Sequence, residues 1–125
     1  MGRRQRQRAG RGFAPRAEST EYRDGEGNAL VLRGSLSPRT RRLHARIASG
    51  QDLPPGATRE DAWQRAFEYL FEHLAESWTI AATEPLTSQR ELLGRLRMAS
   101  QTERGWVRST IRRHCEANFP DVAAG

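Results

Sequence analysis

Between Thr58 and Trp78 the chain places Trp63, Phe67, Leu70, Phe71, Leu74 and Trp78 within a sector of about 100° on a helix of 3.6-residue period. No other stretch gathers so much apolar surface on one face. Any compact fold must bury it, so the pattern predicts a core helix over 59–78, opened by Thr58 and Asp61 as a capping box. Glu68, Glu72 and Glu76 fall on the opposite side, where a row of carboxylates reads as a solvated face, with a site for a basic partner as the alternative.

Everything else has to pack on that helix. Ser37, Pro38 and Gly50 supply an N-cap, a proline at the first helical position and a glycine past the end, which predicts a helix over 38–49. Its apolar stripe is narrow, Leu43 and Ile47 extended by Leu36, and Arg39, Arg42 and Arg46 lie directly beside it. Gln51–Ala57, with Pro54, Pro55 and Gly56, reads as a linker. After a break near Pro85, the pairs Ser88/Glu91 and Ser100/Glu103 repeat the capping box and predict helices over 88–99 and 101–118. Glu21–Arg23 and Ala29–Arg33 flank a Gly-rich turn and read as a β-hairpin near 21–33, which two strands alone cannot stabilise.

The expected fold is therefore mainly α: a four-helix compact domain with a short N-terminal hairpin. Residues 1–20 hold almost nothing that could be buried and read as a disordered Arg-rich arm, 21–119 as the single domain and 120–125 as a C-terminal tail. With 36% apolar residues and a mean hydropathy of -0.81, only one modest core is within reach.

All 21 basic residues are arginine. A GC-rich coding sequence explains that preference better than selection for bidentate phosphate recognition does. The placement of charge is more informative. Residues 1–46 hold twelve arginines against four acidic residues, whereas the remainder is slightly acidic. Such asymmetry points to a polyanion, either nucleic acid or an anionic membrane surface, with solubility as the plain alternative.

Cys115 is the single cysteine, so no intrachain disulfide can form and a reducing cytoplasm is the expected compartment. Arg3-Arg4 is followed by no apolar stretch, and no run is long enough to span a bilayer, so no membrane association is expected. His44, His73 and His114 sit one to a helix with no second ligand at metal spacing, and His73 with Glu76 is too little for a metal centre. His114 and Cys115 are adjacent and point about 100° apart, so they cannot act as base and nucleophile. His114 reads as a packed structural histidine and Cys115 as an inert thiol. No catalytic residue, metal or cofactor is assigned, and the chain is not expected to be an enzyme.

Residues 88–113 read as a helix, a tight turn at 99–101 and a second helix opening with Gln101, Thr102, Glu103 and Arg104. The arrangement is similar to a helix-turn-helix, in which the second helix meets base edges. Against it, no glycine occupies the turn, and an ordinary helical hairpin is the alternative. Arg104, Arg108 and Arg112 repeat at i, i+4, i+8, a spacing that destabilises a helix unless something negative covers it. That cover is either an acidic surface of the fold, such as the glutamate row, or a phosphate backbone.

Two expectations follow. The first is a small nucleic-acid-binding protein, for duplex DNA rather than RNA, using Gln101, Thr102, Arg104, Arg108 and Arg112, with Arg39, Arg42, Arg46 and the arm residues Arg3, Arg4, Arg6, Arg8 and Arg11 on phosphates. The second is a protein-interaction module that docks a partner or a second copy through the aromatic face of helix two or the arginine stripes.

Overall fold

A computed structural model describes residues 19–81 and 83–123. Arg3, Arg4, Arg6, Arg8 and Arg11, and with them the expected arm, lie outside the described residues. The chain forms strands β1 (Thr20–Arg23) and β2 (Ala29–Leu32), helices α1 (Pro38–Ser49) and α2 (Arg59–Leu74), strand β3 (Ala75–Thr79), and helices α3 (Gln89–Arg97), α4 (Gln101–Asn118) and α5 (Pro120–Ala123). The result is mixed, mostly helical with a three-stranded antiparallel sheet in the order β1-β2-β3.

The hairpin forms where the turn residues place it. Asp24 accepts hydrogen bonds from the backbone N–H groups of Glu26 and Asn28 at 2.8 and 3.0 Å, closing the turn between β1 and β2. Its missing support is a third strand. The core helix expected over 59–78 stops at Leu74, and Ala75–Thr79 turns extended without an intervening loop to pair with β2, Leu30 opposite Trp78. Two causes act together. Ser77-Trp78-Thr79-Ile80 is rich in β-branched and aromatic residues, and β2 would otherwise present an unpaired edge of buried Ala29, Leu30 and Leu32. Val31 faces Ser77 while Leu32 faces Ala75, so Glu76 is the extra residue of a bulge and belongs to a strand, not to a helical glutamate row. Trp78 is buried all the same, from the sheet side, edge-on to Phe71 with ring centroids 5.9 Å apart.

α1 spans the predicted residues, with Ser37 accepting from the Thr40 N–H at 3.1 Å and Gly50 closing it at φ 77°. A side chain at Gly50 would be strained by that backbone and would meet Leu53 and Ala62, because the end of α1 presses on α2 there. α3 and α4 open on Ser88 and Ser100 as their capping pairs require, although α3 ends at Arg97 rather than near residue 99. Pro120–Ala123, expected as the start of a tail, forms α5 and places Val122 in the core. That core joins Leu30 and Leu32 of the sheet, Leu70, Phe71 and Leu74 of α2, Leu92 and Leu96 of α3, and Val107, Ile111 and Cys115 of α4, with Phe119. Among the described residues no helix is long and apolar enough to cross a membrane.

Candidate functional site

The apolar sector of α2 is not uniformly inward. Ala62 and Ala66 are buried while Trp63 is 59% exposed, because the two alanines let α1 approach closely and so turn the buried stripe one residue toward the N-terminus. Trp63 is left on the rim of a cavity of about 500 Å³ between α1, α2 and α4. Its floor is apolar, made by Ala66, Leu70, Ile111, Cys115 and Val122, and Phe67 lines the α2 side half-buried. Arg108 and Arg112 form the α4 wall, and His44 with Ala48 the α1 wall.

The two arginines of that wall are differently held. Arg108 lies over the Phe67 ring at 5.2 Å and donates to the Gln64 side-chain oxygen at 3.3 Å, while Arg112 is exposed. Neither meets a carboxylate within ion-pair distance among the described residues. The glutamate row does not cover them: Glu68 accepts from Arg97 at 3.0 Å, and Glu76 accepts from Ser19 in the strand. Arg104, the third member of the stripe, turns toward α3 and donates to the Arg97 carbonyl at 2.8 Å, satisfying the end of that helix.

His44 is the polar group of the α1 wall. It is 6% exposed, lines the cavity and has no hydrogen-bond partner among the described residues. Burial alone lowers its pKa below the ordinary histidine value, so the neutral ring is favoured. Beside it, burial pushes the Cys115 thiol up to about 11, which keeps it protonated and a poor nucleophile at neutral pH.

The other predicted contact residues are dispersed. Gln101 and Thr102 are exposed on the first turn of α4, next to the tip of the α3–α4 turn where Met98 is 83% exposed. Glu103 is committed to capping: it accepts from the Ser100 N–H at 2.9 Å and from Arg95 at 2.7 Å, and those bonds hold its carboxyl below the usual range. Arg46 donates to both carboxylate oxygens of Asp52, at 2.6 and 3.1 Å, so it is neutralised within the chain. Arg39 and Arg42 are exposed and have no ion-pair partner among the described residues. Their helix meets the far end of α4, where Arg41 stacks on Phe119 and reaches Asp121 at 3.5 Å, whereas the first turn of α4 lies beside α3. The proposed reading residues and the α1 phosphate contacts therefore sit at opposite ends of α4, while Arg108 and Arg112 meet α1 and α2 at the cavity.

Trp63 and Phe67 belong to the aromatic face of helix two that the sequence offered for docking a partner, whereas His44 was not singled out for binding and the outward turn of Trp63 was not foreseen. The signal was the small-residue pair Ala62 and Ala66, which marks where a neighbouring helix comes closest and hence which aromatic is displaced outward. Among the described residues no cluster of His, Cys, Asp or Glu is placed to hold a metal ion. Comparison with known proteins finds no matching family model, no matching curated protein and no matching solved structure.

Proposed function

We propose that this chain is a non-catalytic binding module whose working surface is the groove between α1, α2 and α4, where a protein partner docks. One observation carries the reading. An exposed tryptophan stands beside an apolar-floored cavity whose other wall offers two guanidinium groups without carboxylate partners among the described residues. Tryptophan and arginine are the side chains that dominate the energetics of protein interfaces when they rim a pocket a partner can fill. A non-catalytic role is supported by the protonated, buried Cys115 and by His114, both of whose ring nitrogens are engaged in the fold. A cytoplasmic location is supported by the free thiol.

The reading is tested by tagging the full chain, recovering its complexes from the source cells and identifying the proteins by mass spectrometry, in parallel with a Trp63→Ala/Arg112→Ala variant. A protein retained by the native chain and lost by the variant is the expected result. Identical recovery by both would remove the groove as the working surface.

Duplex DNA binding is the second reading, favoured by the exposure of Arg39 and Arg42 and by the six arginines of residues 1–16. From residue 19 onward the chain carries fifteen arginines against fourteen acidic residues, so a phosphate contact would depend mainly on the arm. Light scattering with and without a short duplex, at low and high salt, separates the two. A mass increase that requires DNA and disappears with salt supports this second reading.

A further inference from the structure

The groove combines three demands on whatever fills it, and together they define a chemistry. Trp63, Phe67, Leu70 and Ile111 require an apolar body. His44 offers a hydrogen-bonding group on the α1 wall, since it lines the cavity and has no hydrogen-bond partner among the described residues. Arg108 and Arg112 require negative charge on one side, because two cations at i, i+4 repel unless an anion lies across them. The α2 rim carries the opposite sign at Glu60, so that charge belongs beside α4.

Resting on the docking reading above, we propose that the occupant is an acidic peptide segment of a protein partner. One aromatic anchor with a polar tip, tyrosine or tryptophan, enters the cavity and meets His44, while neighbouring carboxylates face Arg108 and Arg112. A cavity of about 500 Å³ accepts such an anchor side chain together with parts of its neighbours. A chain segment lying along α4 would place further residues on the open side of the groove, as in helix-in-groove recognition. Duplex DNA offers the charge but keeps its bases stacked and paired, so it brings no free apolar body to the cavity, and a basic segment is disfavoured by the α4 wall.

The test uses the full chain, immobilised, to select from a displayed library of random dodecapeptides, with Trp63→Ala and Arg108→Gln/Arg112→Gln as parallel baits. All three changes lie at the surface or rim, and circular dichroism checks that the baits fold. The expected result is enrichment of peptides carrying Asp or Glu beside Tyr or Trp, binding each substituted bait at least about tenfold more weakly. Enrichment that depends on Trp63 but shows no excess of acidic residues overturns the proposed chemistry and leaves the docking reading standing. Absence of any enrichment that depends on Trp63 overturns both. Light scattering of the free chain gives the remaining outcome: a dimer that Trp63→Ala dissolves would assign the groove to a second copy and overturn the acidic segment.

Discussion

His114 and His44 are both buried imidazoles, and the contrast between them divides the molecule into a finished face and an open one. The Arg33 carbonyl can only accept, so His114 Nε2 donates to it at 2.7 Å, and in the neutral ring Nδ1 then accepts from the Tyr22 hydroxyl at 2.8 Å. That ring is fully buried and ties β1, the end of β2 and α4 together. His44 has nothing of the kind. On the sheet side of α4 both ring nitrogens of His114 are paired, whereas His44 on the groove side lines the cavity without a hydrogen-bond partner among the described residues. Because His44 borders the cavity, its ring remains open to a group brought from outside.

The comparison can be broken by experiment, and the largest effect should come from the finished face. His114→Leu strands the Tyr22 hydroxyl and the Arg33 carbonyl, and should cost about 2–4 kcal/mol in urea unfolding. A loss no greater than that of His44→Leu would abolish the distinction. Cys115 tests the floor of the groove. The folded thiol holds its proton to about 11 while the unfolded one releases it near the ordinary thiol value, so stability should fall as pH rises through that interval. Alkylation at pH 8 should correspondingly be at least about tenfold slower in the folded chain than in denaturant.

His44→Leu should change stability by less than about 1 kcal/mol at neutral pH, since no hydrogen bond among the described residues is lost. Its signature is in acid. Because the fold lowers the His44 pKa, the native chain loses stability as pH falls below the ordinary histidine value, and the leucine variant should lose less over the same range. Smallest of all, Trp63→Ala should move stability by no more than about 0.5 kcal/mol while removing the solvent-exposed component of the tryptophan emission. A large loss of stability would mean that Trp63 belongs to the core after all.

Local signals in the sequence carried most of the helical architecture. The serine caps, the proline at the start of α1 and the glycine at its end act within a few residues of where they stand, and α1 and α4 form over the residues those signals delimit. What escaped was decided at a distance. Trp78 satisfies the helical period of α2, but the demand of β2 for a partner, set by residues some fifty positions earlier, takes Ala75–Thr79 into the sheet. Trp63 likewise fits the period, and only the approach of α1 to Ala62 and Ala66 decides that it faces outward. The arginine stripe was legible as unbalanced charge, yet which of its members turns to the Arg97 carbonyl and which to the cavity depends on helix placement.

The direct passage of α2 into β3 sets how the groove can deform. With no loop between Leu74 and Ala75, and with the Arg33 N–H bonded to the Leu74 carbonyl at 2.8 Å, swinging α2 would tear strand pairing. α1 is joined to α2 through Gln51–Ala57 and is held by side chains instead: it packs on Ala62 and Ala66, and its Arg41 stacks on Phe119 and reaches Asp121 at 3.5 Å. The groove thus has one wall tied by backbone pairing and one held by side-chain packing alone.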